Sequence, residues 1–136
     1  MVSMIVGPKG SGKTKKMIQL ANDDVKTLTG SVVYIDDDKG SIYNLNHDMR
    51  FMNMEDYPIK TKEEFFGFVC GIISNNYDIQ RIYIDGLLKV VDLSVEEMTA
   101  YFKQFADIAE SNDLKFIFSL NQETNALPEE LKQYII

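Results

Sequence analysis

The sequence predicts an α/β fold in which all 136 residues form a single domain, 1–136, with a three-layer α/β/α arrangement around a mostly parallel sheet. Two observations predict this fold. Short apolar runs rich in Val, Ile, Tyr and Phe alternate along the chain with amphipathic segments of helical length. The runs also lack the apolar–polar alternation of a half-exposed strand, which is typical of parallel strands buried on both faces. The predicted strands are Val2–Val6, Ser31–Ile35, Arg81–Ile84 and Lys115–Leu120.

Three longer helices are predicted between these strands. Apolar residues recur at helical spacing from Met17 to Leu28, and Gly30 follows as a stop signal. The second helix begins at a capping box, Thr61–Glu64, in which the threonine hydroxyl and the glutamate carboxylate each accept a backbone N–H bond. The same pattern at Ser94–Glu97 begins the third helix. The alternation of strands and helices therefore predicts βαβ units with right-handed crossovers.

Two other segments have weaker patterns. Lys39–Ile59 has no clear periodicity, so we predict a long loop that contains a short helix. Near the end of the chain, Pro128 suits the start of a short final helix, and Tyr134–Ile136 is predicted to form a last edge strand. Ligands of parallel sheets bind beyond the carboxyl ends of the strands, so functional residues are expected directly after each apolar run.

Composition and charge exclude several classes of protein. The formal net charge of −7 disfavours nucleic-acid binding, which depends on neutralising phosphates. The longest apolar run, Phe65–Ile73, is far shorter than the ~20 residues that a membrane-spanning helix needs. One cysteine and one histidine allow no internal disulfide and no cysteine- or histidine-rich metal site. The first residues already form a predicted strand, so we expect no leader peptide, no membrane span and a cytoplasmic location.

The most specific motif follows the first predicted strand. It matches the phosphate-binding loop pattern G-x-x-x-x-G-K-[ST] in full, with Gly7, Pro8, Lys9, Gly10, Ser11, Gly12, Lys13 and Thr14. Its glycines let backbone N–H groups point into a concave nest, and the following helix adds its positive end. We expect Lys13 to reach the β- and γ-phosphates of a nucleotide and the Thr14 hydroxyl to bind Mg²⁺. The alternative is a glycine- and serine-rich turn that leads into a lysine-rich helix.

An aspartate directly follows the third predicted strand. A nucleotide-bound Mg²⁺ favours a carboxylate at the end of a buried strand, near the hydroxyl of the phosphate-binding loop. Asp85 lies at that position, so we predict that it binds the metal together with Thr14. Taken alone, an apolar strand that ends in aspartate is also a common junction between a strand and a turn.

Polar side chains follow the second and fourth predicted strands as well. The second is followed by Asp36, Asp37 and Asp38. These carboxylates repel one another and are expected to face the metal and the phosphates. A solvated turn or a helix cap is the alternative for these acids. The fourth strand ends in Asn121 and Gln122. An amide there would either sense the γ-phosphate or stabilise a turn, and the residues alone leave both interpretations open.

These motifs together resemble the P-loop NTPase superfamily, and their order resembles its RecA-like branch. The Gly7–Thr14 loop is similar to the Walker A motif and Asp85 to the Walker B aspartate. In that branch a glutamate after the second strand polarises the attacking water, and the resemblance gives Asp38 this role. It likewise makes Gln122 the γ-phosphate sensor. Gly86 stands where many members carry a catalytic glutamate, so any base must come from elsewhere.

The resemblance implies a protein that binds ATP with Mg²⁺. ATP is expected rather than GTP because the chain has no Asn-Lys-x-Asp segment for reading guanine. The first hypothesis is a small ATPase that is slow or stimulated by a partner, with Lys13, Asp38 and Gln122 as its catalytic residues. Asp38 is one methylene shorter than glutamate, which favours slow hydrolysis.

Two other functions stay open. One is a nucleotide-dependent switch module with little hydrolysis. The other is a small-molecule kinase, which is disfavoured because such enzymes use several arginines around the transferred phosphate and this chain has only Arg50 and Arg81. With so few arginines, a protein partner, a second copy of the chain or a lysine must supply positive charge to the transition state.

Overall fold

The computed structural model describes residues 1–136 as five strands, four α-helices and several short 3₁₀ segments. The strands are β1 (Val2–Gly7), β2 (Ser31–Asp36), β3 (Arg50–Asn53), β4 (Ile79–Ile84) and β5 (Lys115–Asn121). The helices are α1 (Lys13–Thr27), α2 (Lys62–Asn75), α3 (Leu87–Val90) and α4 (Val95–Asn112). The predicted α/β fold is confirmed.

The strands form one sheet in the order β1-β5-β4-β2-β3, and every neighbouring pair is parallel. The predicted mostly parallel sheet is therefore confirmed, and it is parallel throughout. β5 lies between β1 and β4, because Gly7 is paired with Asn121 and Ile84 with Phe118. This order brings the carboxyl ends of β1, β5 and β4 side by side, and β2 follows next to β4.

Alternate side chains of the strands contribute to two separate cores, because successive Cβ atoms point to opposite faces of a sheet. One core contains Met17 of α1, and the other contains Phe65 of α2 and Phe105 of α4. In β2, Tyr34 belongs to the first core and its neighbour Ile35 to the second. Helices therefore cover both faces, consistent with a three-layer α/β/α arrangement. Burial on both faces explains why the strands show no apolar–polar alternation in the sequence.

Both predicted capping boxes are present. The Thr61 hydroxyl accepts a hydrogen bond from the Glu64 backbone N–H at 3.0 Å, and the Glu64 carboxylate accepts one from the Thr61 N–H at 3.0 Å. At the start of α4, the Glu97 carboxylate accepts a hydrogen bond from the Ser94 N–H at 3.0 Å. None of the helices combines the length and the apolar character needed to cross a membrane.

The prediction for Lys39–Ile59 is wrong in part, because this segment contains a strand. β3 lies at the edge of the sheet and pairs with β2, with Arg50 opposite Val33. It has only four residues, none of them fully buried, so no period of two could develop in the sequence. The short helix expected in this segment is present as a 3₁₀ turn at Gly40–Asn44.

The end of the chain also differs from the prediction. The expected final helix is a 3₁₀ helix, Glu129–Tyr134, with Pro128 directly before it. The expected edge strand is reduced to a single bridge between Ile135 and Met4, together with a hydrogen bond of 2.9 Å from the Ile136 N–H to the Met4 carbonyl oxygen. The tight 3₁₀ turns leave too few extended residues to continue the sheet beyond β1.

Candidate functional site

A cavity of about 350 Å³ lies at the carboxyl ends of β1, β5 and β4. None of the residues that line it is hydrophobic. Its lining contains four lysines and a single carboxylate, although the whole chain carries a net charge of −7. The lining residues are Lys9, Gly10, Gly12, Lys13, Thr14, Lys15, Asp85, Gly86, Lys89, Ser119 and Asn121. The cavity is therefore a concentration of positive charge in an acidic protein.

The Gly7–Thr14 loop forms one wall of this cavity and leads into α1. Gly10 and Gly12 have φ angles of +85° and +86°, a left-handed conformation that residues with a Cβ rarely adopt. Gly12 is the N-cap of α1 and has no side chain to accept a hydrogen bond from the first turn of the helix. That turn contains no acidic residue and begins with Lys13. Its N–H groups and its lysines both favour an anion at this end of the helix.

Lys13 is buried, with 9% of its surface exposed. Its ammonium group donates hydrogen bonds to the Pro8 carbonyl oxygen at 2.8 Å and to the Ser11 hydroxyl at 3.4 Å. Burial lowers the pKa of Lys13, the Asp85 charge opposes that shift, and the Lys89 charge adds to it. No carboxylate lies within ion-pair distance of the ammonium group. Lys13 is therefore a buried cation without a counter-ion in contact.

Asp85 follows β4 and is held by two hydroxyl groups. Its Oδ2 accepts a hydrogen bond from the Tyr34 hydroxyl at 2.8 Å, and its Oδ1 accepts one from the Ser119 hydroxyl at 2.6 Å. The Ser119 oxygen in turn accepts a hydrogen bond from the Gly86 backbone N–H at 2.8 Å. Burial, followed by the nearby Asp85 charge, holds the pKa of Tyr34 well above its usual value. The Asp85 carboxylate is thus fixed in orientation at the bottom of the cavity.

Thr14 and Asp85 both line the cavity, as the predicted metal site requires. Thr14 is exposed at the start of α1, whereas Asp85 is buried beyond β4. No group of three or more His, Cys, Asp or Glu side chains is arranged to hold a metal ion. One hydroxyl and one carboxylate suit a hard cation such as Mg²⁺, which takes oxygen ligands and keeps several of its waters.

The three aspartates at the end of β2 lie in different environments: Asp36 is the last residue of the strand, and Asp37 and Asp38 follow it. Asp36 is buried, and its carboxylate accepts hydrogen bonds from the Asp37 backbone N–H at 2.7 Å and from the Ser41 hydroxyl at 2.6 Å. Burial is the main reason why the pKa of Asp36 rises to about 7. Asp38 is exposed, lies outside the cavity lining, and accepts a hydrogen bond from the Gly40 N–H at 2.7 Å.

The two amides at the end of β5 are also separated: Asn121 is the last residue of the strand, and Gln122 follows it. Asn121 lines the cavity, whereas Gln122 is half-buried and outside the lining. The backbone N–H of Gln122 donates a hydrogen bond of 3.2 Å to the Gly7 carbonyl oxygen, which ties this position to the start of the Gly7–Thr14 loop. The roles expected for Asp38 and Gln122 stay predictions.

Sequence reasoning missed Tyr34, Ser119 and Lys89. A polar residue inside a buried strand was the available signal for the first two, because buried hydroxyls need hydrogen-bond partners. Tyr34 brings a hydroxyl group into the apolar run of β2, and Ser119 brings one into that of β5. Lys89 had no such signal, because it lies on α3, a helix of four residues that no periodicity predicts.

No protein-family model matches the sequence, and no curated protein matches it significantly.

Proposed function

We propose that this protein binds ATP with Mg²⁺ as a small RecA-like member of the P-loop NTPase superfamily, and that it hydrolyses ATP slowly or under stimulation by a partner. The observation that carries the proposal is the cavity at the carboxyl ends of β1, β5 and β4, with four lysines, one aspartate and no apolar side chain. Such a lining suits a highly charged anion that brings its own cation. A nucleoside triphosphate with bound Mg²⁺ is an anion of this kind.

The Gly7–Thr14 loop would hold the phosphates. The buried Lys13 ammonium has no carboxylate partner, so a phosphate oxygen would supply the counter-charge that the protein itself does not. The uncapped first turn of α1 would donate backbone N–H bonds to the same phosphate. In this arrangement the side chain of Lys13 exchanges contacts within its own loop for contacts with the ligand.

Thr14 and Asp85 would hold Mg²⁺ at the phosphates. The ion supplies charge neutralisation to the phosphate oxygens when it is bound. Tyr34 and Ser119 orient the Asp85 carboxylate through their hydroxyl groups, so this ligand needs no rearrangement when it binds. The remaining ligands would be phosphate oxygens and water, which is usual for Mg²⁺ in nucleotide sites.

Hydrolysis would depend on Asp38 as the residue that orients water and on Gln122 as the sensor of the γ-phosphate. Asp38 is exposed, outside the cavity lining and bonded to the Gly40 N–H, so its carboxylate would have to exchange this contact before it acts on a water in the cavity. This requirement, together with the short side chain, supports slow turnover. It equally favours the second candidate function, a nucleotide-dependent switch that hardly hydrolyses ATP and acts through a protein partner or a second copy of the chain.

The proposal is tested by equilibrium binding of a fluorescent ATP analogue in the presence of Mg²⁺. Lys13→Ala should weaken binding about 10- to 100-fold, because a charge-assisted contact to phosphate is lost. Lys16→Ala is the matched control, since Lys16 is exposed on the same helix and does not line the cavity. A wild-type chain that binds neither adenine nor guanine nucleotides would refute the proposal.

Single-turnover hydrolysis by Asp38→Asn separates the two candidate functions. A slower rate than that of the wild-type chain supports an ATPase in which Asp38 orients water. An unchanged rate removes Asp38 from that role, and negligible hydrolysis by the wild-type chain favours the switch.

A further inference from the structure

Lys89 reaches the cavity from the side opposite the Gly7–Thr14 loop. The turn after β4 passes through Gly86, whose φ of +74° is a left-handed conformation that a side chain would strain. This turn starts α3 directly at the carboxyl end of the sheet. The stem of Lys89 lies over Gly86, where an added Cβ would be 3.5 Å from the Lys89 Cδ atom. The Lys89 side chain therefore lies beside the turn that follows Asp85, and Lys89 is one of the residues that line the cavity.

The partner of Lys89 is Asp37, not Asp85. The Lys89 ammonium lies 3.8 Å from Asp37 Oδ2, and both side chains are partly exposed, at 46% and 26%. This distance is too long for a hydrogen bond, so the contact is a loose ion pair. Loose, partly exposed ion pairs are weak and exchange readily for a stronger anion.

The other lysines of the cavity come from a different part of the chain. Lys9 and Lys13 belong to the Gly7–Thr14 loop, and Lys15 lies on the first turn of α1. Lys89 instead follows β4, and β5 separates β4 from β1. An anion held in the loop would therefore have lysines on two sides, and Lys89 would be the lysine available to the part of the anion that extends beyond the loop. The Lys89 charge already acts on Lys13 across this space, since it helps to lower the pKa of Lys13.

We propose that Lys89 is a second phosphate-binding lysine that recognises the terminal phosphate of a nucleoside triphosphate, and that Asp37 holds its ammonium group beside the cavity until the nucleotide binds. This inference rests on the proposed function and adds selectivity for triphosphate over diphosphate. A diphosphate fills the loop but ends short of Lys89, whereas a triphosphate reaches it and replaces Asp37 as its partner. Lys89 would then supply the γ-phosphate with a second positive charge from within the chain, in addition to that of Lys13.

The two arginines of the chain lie outside the cavity, so neither is placed to contact the γ-phosphate. Arg81 lies in β4, towards the amino-terminal end of the strand, and its Nε atom is 3.5 Å from Asp24 Oδ2. Arg50 begins the edge strand β3. Neither lines the cavity, so the cations that can face a bound phosphate are all lysines.

The experiment compares the affinities of a non-hydrolysable ATP analogue and of ADP, both with Mg²⁺, for the wild-type chain and four variants. Lys89→Gln should weaken binding of the triphosphate about tenfold and binding of ADP less than about twofold, because only the terminal contact is lost. Lys89→Arg keeps the charge and should stay within about threefold of the wild-type chain for both ligands. Lys103→Gln is the control for net charge, since Lys103 is an exposed lysine of α4 with its own carboxylate partner, Asp107, at 3.2 Å.

Each result decides the inference. Equal losses for both nucleotides, or no loss, in Lys89→Gln would overturn the assignment of Lys89 while leaving the proposed function standing. A wild-type chain that binds neither nucleotide would overturn both. Asp37→Asn releases Lys89 and should tighten triphosphate binding about two- to threefold, and weaker binding in this variant would overturn the holding role of Asp37. Unchanged circular dichroism spectra verify that the variants are folded.

Discussion

At the scale of single residues, Asp85 shows how the fold holds a buried carboxylate in one orientation. Both of its oxygens accept hydrogen bonds from hydroxyl groups, one from Tyr34 on β2 and one from Ser119 on β5. These strands are the two neighbours of β4 in the sheet. A buried carboxylate is costly unless it is hydrogen-bonded, so the neighbouring strands supply what the carboxylate loses in leaving water.

Tyr34→Phe removes one of these donors. We expect the free energy of unfolding to fall by about 1–3 kcal/mol, because a buried carboxylate oxygen is left without its hydrogen bond. Urea denaturation measures this change. Tyr77→Phe is the matched control, since the Tyr77 side chain is fully exposed and should change stability by less than about 0.5 kcal/mol. Equal stability of the two variants would show that the hydroxyl of Tyr34 does not stabilise Asp85.

Asp36 makes stability depend on pH. Its folded-state pKa of about 7 is above the value of 3.8 for an unperturbed aspartate, so the folded state binds the proton more tightly than the unfolded state does. The stabilisation is complete below about pH 4 and is lost as the pH rises through 7. Asp36→Asn mimics the protonated form and still offers an oxygen to the Asp37 N–H and an N–H to Ser41.

The stability of Asp36→Asn relative to the wild-type chain should therefore increase between pH 4 and pH 8, by roughly 2–4 kcal/mol. Chemical denaturation of both proteins at several pH values measures it. A constant difference across this range would contradict the raised pKa of Asp36.

The helices show which elements a sequence can determine locally. α2 and α4 begin at capping boxes because the residues that form each box are adjacent in the chain and need no tertiary contact. α1 follows the Gly7–Thr14 loop for a similar reason, since glycines at the turn and periodic apolar residues after it act within one segment. By contrast, β3 exists only because β2 presents an open edge to it, and its own residues carry no period.

The capping box of α2 allows a test of how much adjacent residues stabilise a helix. Thr61→Ala should lower the free energy of unfolding by about 1 kcal/mol, because the Glu64 N–H loses its acceptor at the start of the helix. Thr61→Ser keeps a hydroxyl at this position and should recover most of the loss. Thermal unfolding followed by circular dichroism measures both variants. If Thr61→Ala unfolds at the same temperature as the wild-type chain, the capping box does not stabilise α2.

At the scale of the whole molecule, the order of the sheet decides which predicted residues meet. Residues after β1, β4 and β5 can be predicted as site candidates from the motifs alone, and Lys13, Thr14 and Asp85 line one cavity. The placement of β5 between β1 and β4 could not be predicted, because it depends on contacts between distant parts of the chain. That placement puts Ser119 and Asn121 in the cavity lining. Gln122, the next residue, lies outside the lining. The position of Lys89 could not be predicted for the same reason, since only the folded chain brings it to the cavity lining.

The aromatic surroundings of Tyr34 give the site a built-in optical signal. The Tyr34 ring stacks between Phe51 at 6.3 Å and Tyr83 at 5.9 Å, and its hydroxyl donates to Asp85. The chain has seven tyrosines and no tryptophan, so tyrosine emission is not masked by indole. Carboxylate acceptors quench phenol fluorescence, so a cation that shares the Asp85 carboxylate and weakens its hydrogen bond to Tyr34 without moving it would change that quenching. We therefore expect the tyrosine emission of the unlabelled protein to change when a cation binds in the cavity.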